Sequence, residues 1–157
     1  MNSVTTINQS FFYTLPIVDG FQWGKRRKPE GFRLMMKDGE KEVAVRGGDP
    51  VFTNVNEKTA HASWPVGKGT FEIDMNENSL TITTKDNPAG DWFLDLYVAD
   101  DAKTAFREVS DKSAQYEFDG HKYQLKTKQG TIEKTTNSSL YRVKPKGQRI
   151  VLMLEDQ

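Results

Sequence analysis

Apolar and polar residues alternate with a period of two along most of this chain. In the stretch Phe71-Glu72-Ile73-Asp74-Met75 the apolar side chains fall on one face and the acids on the other. This alternation is typical of a half-buried antiparallel strand, because successive side chains of a strand point to opposite faces. The alternation resumes in Leu80-Thr81-Ile82-Thr83-Thr84, after the turn sequence Asn76-Glu77-Asn78. Residues 70–84 are therefore predicted to form a hairpin.

The same pattern, interrupted by turn sequences, recurs along the rest of the chain. Further predicted strands are residues 11–17, 32–36, 42–45, 59–64, 92–98, 115–118, 122–127, 131–134, 140–143 and 149–154. Asp119-Gly120 has the composition of a two-residue type I′ turn and predicts a tight hairpin. Short strands at a spacing of roughly 8 to 12 residues are typical of all-β sandwiches and barrels. We predict an antiparallel β-sandwich of about a dozen short strands, with a closed barrel as the alternative.

Two of these strands have the apolar content of central strands. In residues 92–98 both faces carry large side chains, with Phe93 and Asp95 sharing one of them. If that face is covered, Asp95 needs a partner such as an arginine, because an unpaired buried charge is costly. Residues 150–154 are apolar throughout, which predicts a central position for the C-terminal strand.

One segment departs from the alternation. Ala102, Ala105, Phe106 and Val109 recur at helical spacing, and acids precede them at the end where a helix dipole favours negative charge. The spacing predicts one short helix at residues 100–109.

Composition limits the function classes. The chain has 157 residues, the usual size of one domain, and 22 basic against 22 acidic residues, so its net charge is zero. We predict a single sandwich domain spanning residues 1–157, with no nucleic-acid partner, because the chain has no basic excess. No apolar run is long enough to span a membrane. The N-terminus has no signal-peptide pattern, so we expect either an unprocessed soluble protein or a mature or excised piece of a secreted or periplasmic one.

The residues available for catalysis are few. The chain has no cysteine and only two histidines, His61 and His121, and it has no nucleophile elbow, Walker loop or zinc-protease motif. No cofactor, metal or catalytic residue is predicted. An enzyme of this composition would need paired carboxylates, or His61 with a carboxylate, in a cleft.

The three tryptophans stand at strand ends or in flanking loops, where aromatic rings beside polar groups can bind sugars. A basic run, Lys25-Arg26-Arg27-Lys28, follows the first of them. The predicted ligand-binding residues are Trp23, Arg26, Arg27, Trp64, Asp91 and Trp92. A glycan-binding surface requires at least two of the tryptophans to be exposed on one face, and Trp92 is the one best placed to fill the core instead.

Gly20-Phe21-Gln22-Trp23 resembles the Gly-x-Trp at the first strand of lipocalins, although two residues separate glycine and tryptophan here. The resemblance covers four residues. It implies only the barrel alternative, with an apolar cavity for a small ligand, and carries over no site.

These observations favour a non-catalytic accessory or binding domain, associated with a glycan or a neighbouring catalytic domain in a secreted bacterial carbohydrate-active protein. The last step is an argument from fold analogy. A small-ligand barrel and a structural or partner-docking domain are the alternatives.

Overall fold

A computed structural model gives the fold of residues 3–4, 15–18, 20–21, 31–53, 59–76, 79–97, 104–107, 109–118, 121–136 and 140–156. In these residues the regular structure is β-strand throughout. In chain order the strands are β1 (Ser3–Val4), β2 (Leu15–Val18), β3 (Gly20–Phe21), β4 (Gly31–Asp38), β5 (Lys41–Ala44), β6 (Val51–Thr53), β7 (Thr59–Val66), β8 (Gly69–Asn76), β9 (Ser79–Lys85), β10 (Trp92–Tyr97), β11 (Thr104–Arg107), β12 (Ser113–Phe118), β13 (His121–Gln129), β14 (Thr131–Lys134), β15 (Leu140–Lys144) and β16 (Arg149–Asp156).

The larger sheet has eight antiparallel strands in the order β11-β12-β13-β16-β9-β8-β7-β6. The predicted hairpin is confirmed as β8 and β9, in which Ile73 pairs with Ile82. Ile82 also pairs with Ile150 of β16, so a row of isoleucines crosses three strands on the buried face. β16 lies inside the sheet between β13 and β9, which confirms the central position predicted for the C-terminal strand.

The second sheet has five antiparallel strands in the order β14-β15-β10-β4-β5. In its central strand, β10, Leu94 pairs with Leu34 on one side and with Val143 on the other. Phe93 and Asp95 point to the opposite face, yet each is only 2% exposed. The prediction that this strand is covered on both faces is confirmed.

The two large sheets pack face to face, because their inward side chains belong to one buried cluster. Aromatic rings join the sheets at one end, where the Phe71 ring meets the Trp92 ring edge-on at 5.2 Å between centroids. Trp64 lies next to Phe71 at 6.0 Å. The predicted β-sandwich is confirmed. The barrel alternative is wrong, because in the described strands neither large sheet pairs its first strand with its last.

The predicted helix at residues 100–109 is also wrong. Residues 104–107 form β11, and Phe106 pairs there with Tyr116 of β12. Residues 100–103 and 108 lie outside the described part of the chain. A ten-residue helix is marginal by itself, so hydrogen bonding to the edge of a sheet can override its local periodicity.

The remaining strand predictions differ from the structure mainly at their ends. Of the predicted strand 11–17, the structure describes only the part in β2, which forms a small three-stranded sheet with β1 and β3. The turn at 119–120 lies outside the described residues, but Phe118 pairs with His121, which confirms the hairpin. β1, β3 and β6 were not predicted, because two or three residues are too few to establish a period.

The chain passes from one large sheet to the other at Gly130, between β13 and β14. Gly130 has a φ of 105°, and a Cβ at this position would lie 2.6 Å from the carbonyl oxygen of Lys144. Only glycine tolerates both the positive φ and this close approach.

Candidate functional site

Two of the predicted ligand-binding residues are core residues. Trp64 is 0% and Trp92 1% exposed. Both indole N–H groups have hydrogen-bond partners within the protein. Trp64 Nε1 donates to the Gly48 carbonyl oxygen at 2.9 Å, and Trp92 Nε1 donates to Gln148 Oε1 at 2.8 Å. The expected surface with at least two exposed tryptophans is therefore not formed. Both side chains lie on the inward faces of their strands, where burying a large aromatic surface contributes most.

The other four predicted residues do not form a shared surface in the described structure. Trp23, Arg26 and Arg27 lie outside the described residues. Asp91 is exposed in the loop before β10, and its backbone carbonyl oxygen accepts a hydrogen bond from Lys37 N at 2.9 Å. Its carboxylate is available to solvent.

The structure instead brings polar groups together on the outer face of the eight-stranded sheet, the face turned away from the five-stranded sheet. Alternation on β7 and β8 turns the apolar residues inward and leaves His61, Ser63, Glu72 and Asp74 outward. The antiparallel register sets His61 opposite Asp74 and Ser63 opposite Glu72. Directly opposed side chains are close enough to interact, so these four residues form one cluster, which we call the His61 cluster.

Hydrogen bonds fix the side chains of the His61 cluster. His61 Nδ1 lies 2.6 Å from Asp74 Oδ1, and His61 Nε2 lies 3.4 Å from Glu72 Oε1. Ser63 Oγ donates to Glu72 Oε2 at 2.6 Å. Each member is thus held by at least one neighbour, while Asp74 remains 60% exposed and His61 25% exposed.

The electrostatics of the cluster favour an ionised Glu72. Burial by itself would raise the pKa of Glu72, but the Ser63 hydrogen bond and the charges of His61 and Lys85 outweigh it. The pKa of Glu72 therefore lies below its usual value. An ionised carboxylate accepts strong charge-assisted hydrogen bonds from hydroxyl or amide donors.

The arrangement differs from a hydrolytic triad. Ser63 donates its hydrogen bond to Glu72 rather than to His61, so the histidine does not occupy the position of the triad base. An enzyme of this composition would need His61 and a carboxylate, or paired carboxylates, in a cleft. In the structure, His61 and its carboxylate neighbours lie on a sheet face. In the described part of the chain no group of three or more His, Cys, Asp and Glu residues is arranged to hold a metal ion.

A second polar cluster lies on the outer face of the five-stranded sheet. Arg142 Nε donates to the buried Asp95 at 3.0 Å, while Nη1 and Nη2 donate to Glu42 at 2.6 and 3.0 Å. The guanidinium also lies 4.0 Å above the centre of the Phe93 ring, a cation–π contact. Asp95 was expected to need an arginine partner if buried, and this expectation is confirmed. The sequence alone did not identify Arg142, because the pairing depends on the β10–β15 register.

This second cluster is internally satisfied. Hydrogen bonding to Arg142 lowers the pKa of Glu42 despite some opposing burial. Burial would lower the pKa of Arg142, but the hydrogen bonds to Glu42 and Asp95 raise it overall. Because Arg142 makes hydrogen bonds to both carboxylates, the cluster of Arg142, Asp95 and Glu42 has a structural role, and the His61 cluster is the better candidate for ligand binding.

Comparisons with known proteins add little. No protein-family model and no curated protein sequence matches this chain. Among solved structures, a glycoside hydrolase family 81 protein from Clostridium thermocellum aligns with 92% of this chain at 11% identity and a TM-score of 0.48. The chain corresponds to 21% of the length of that protein. Among the described residues no helix is long and apolar enough to cross a membrane.

Proposed function

We propose that this chain is a non-catalytic accessory or binding domain that binds a glycan on the outer face of its eight-stranded sheet. The observation that carries the proposal is the His61 cluster, a set of hydrogen-bonding side chains held in place on an accessible face. We further propose that it forms one domain of a secreted bacterial carbohydrate-active protein. Support for that context is fold analogy, since antiparallel sandwiches host many binding functions.

Fixed polar groups suit a glycan because sugars present many hydroxyls that donate and accept hydrogen bonds. Glu72 and Asp74 supply acceptors, while His61 and Ser63 supply groups of both kinds. Side chains already held by their neighbours lose little conformational entropy when a ligand binds. Thr81 and Thr83 continue the polar surface onto β9, opposite Asp74 and Glu72.

Calorimetric titration with soluble neutral oligosaccharides of glucose, xylose, mannose and galactose tests this proposal. At least one oligosaccharide is expected to bind. Because each lost hydrogen bond to a charged group weakens binding by about tenfold, Glu72→Gln and Asp74→Asn should each lower the affinity by that factor. Glu133→Gln is the matched control, because Glu133 is a similarly exposed acid on the other sheet. Unchanged affinity in both cluster variants, or no binding to any oligosaccharide, would contradict the proposal.

A further inference from the structure

Four exposed cations lie together on the outer face of the eight-stranded sheet, where β9 ends and β16 begins. They are Lys85, Lys128, Lys146 and Arg149, which we call the cationic patch. β9 separates Lys128, Lys146 and Arg149 from the His61 cluster, whereas Lys85 lies on β9 itself and its charge acts on Glu72.

Register puts three of the four side chains on one face. Arg149 pairs with Thr83, and Lys85 follows two residues later on the same face of β9. Lys146 forms a two-hydrogen-bond bridge with Arg149, in which the N···O distances are 3.0 and 3.3 Å. Residues opposed in such a bridge point to the same side, so Lys146 joins the other two.

An irregularity in β13 adds the fourth cation. The pairing of β13 with β16 shifts register between Thr127 and Gln129, so Lys128 is an extra residue with no partner in β16, next to Gln129, which pairs with Val151. Gln129 Nε2 donates to the Lys146 carbonyl oxygen at 2.6 Å, which ties this strand to the turn that carries Lys146. The cations therefore stand on the neighbouring strands β9, β16 and β13 and on the adjoining turn.

The patch cations differ from nearby cations in having no acid at ion-pair distance among the described residues. Nearby cations have acidic partners: Lys126 pairs with Glu155 at 2.9 Å and Lys144 with Glu133 at 3.4 Å. In the described residues none of the four patch cations forms such a pair, and Asp86, the acid next to Lys85, forms none with them. The charges of Lys85 and Lys128 act at longer range on Glu72 and Glu155. The patch is therefore partly compensated, but four cations without a direct ion pair still stand at one corner of a chain whose net charge is zero.

We propose that the cationic patch binds an acidic polysaccharide, one that carries a carboxylate on successive sugar rings. This inference rests on the proposed function and adds a second binding region on the same sheet face, with its own ligand class. An extended chain crossing β9, β16 and β13 on a diagonal would meet a cation on each of these strands, which lie about 4.8 Å apart. A diagonal path is needed because Arg149 pairs with Thr83 and Lys85 lies two residues further along β9. A nucleic acid is disfavoured because single-strand binding needs aromatic rings on which bases stack. Among the described residues the exposed large hydrophobic side chain is Val51, not an aromatic ring.

The test compares an oligogalacturonate with its fully methyl-esterified form, which keeps the sugar backbone but removes the charge. Titration of the whole chain at low salt should give binding to the acid at least about tenfold tighter than to the ester. Added salt should weaken only the binding of the acid, since exposed charge interactions are screened. The double variant Lys146→Gln/Arg149→Gln should abolish the preference. Lys134→Gln, an exposed lysine on the five-stranded sheet, is the matched control and should leave it intact.

The outcomes separate this inference from the proposed function. Equal affinity for acid and ester, unchanged in the double variant, would overturn the inference while supporting glycan binding. Binding of neither form, together with a negative neutral-oligosaccharide panel, would overturn both. Binding of an oligothymidylate of equal charge as tightly as the oligogalacturonate would overturn the assignment to a sugar ligand.

Discussion

Trp92 connects the two large sheets, and its burial has a measurable consequence. Its ring packs edge-on against Phe71, and its indole nitrogen donates to Gln148. Trp92→Ala should lower the free energy of unfolding by about 3 to 5 kcal/mol, because a cavity replaces a buried ring. Denaturant-induced unfolding measures the loss. Val51→Ala, at a side chain that is 60% exposed, is the control and should change stability by less than about 0.5 kcal/mol. A Trp92 loss no larger than the control would contradict the burial.

Arg142 stabilises a buried acid, so its removal should cost more than removal of a surface ion pair. Arg142→Gln takes the guanidinium from Asp95, which is 2% exposed, and should destabilise the protein by about 3 kcal/mol. Lys144→Gln breaks a half-exposed pair with Glu133 and should cost less than about 1 kcal/mol. Equal losses in the two variants, measured by chemical unfolding, would show that the Asp95 contact contributes no more than a surface pair.

At the level of elements, the loop after β5 packs so closely against β7 that it requires glycine. A Cβ on Gly47 would lie 2.3 Å from the Pro65 carbonyl oxygen and 2.8 Å from Trp64 Nε1. Gly47→Ala should therefore destabilise the protein by about 1 to 3 kcal/mol. A Cβ on Gly90 meets nothing within 4 Å, so Gly90→Ala should change stability by less than about 1 kcal/mol. Similar thermal unfolding curves for both variants would contradict the close packing.

The elements also show what alternation can predict. The strands with long alternating runs, such as β8 and β9, were predicted within one or two residues, because one buried face specifies their pattern. The segment that forms β11 was predicted as a helix, because a few apolar residues fit either the helical or the strand period. Pairing with β12 makes it a strand. Trp64 and Trp92 illustrate the same limit: alternation put both on the apolar faces of their strands, but only the register and the packing of the two sheets show that these strand ends are buried.

The candidate site was less predictable than the fold. The alternation placed His61, Glu72 and Asp74 on polar faces, but only the pairing of β7 with β8 brings them together. The cationic patch likewise joins residues from three parts of the sequence through β9, β13 and β16. Such long-range juxtapositions leave no mark in local composition.

At the level of the whole molecule, the free energy of unfolding should decrease at acidic pH. The pKa values of Glu42 and Glu72 are both lowered from 4.5 in the folded chain. As pH falls below about 4.5, these carboxylates are protonated in the unfolded chain before they are protonated in the folded chain. The stability that they contribute is therefore lost as pH falls through their pKa values in the folded chain. Urea unfolding from about pH 7 to about pH 3 should show this loss, with a shallower slope in Glu42→Gln/Glu72→Gln. An identical slope in that variant would contradict it.

We propose that this sandwich binds glycans through a polar sheet face and not through the buried rings of Trp64 and Trp92. Mapping backbone amide chemical shifts during titration with the soluble oligosaccharides tests it most directly. We expect shifts concentrated at residues 61–63, 72–74 and 81–85 on the outer face of the eight-stranded sheet. No shifts with any oligosaccharide, or shifts confined to the five-stranded sheet, would contradict it.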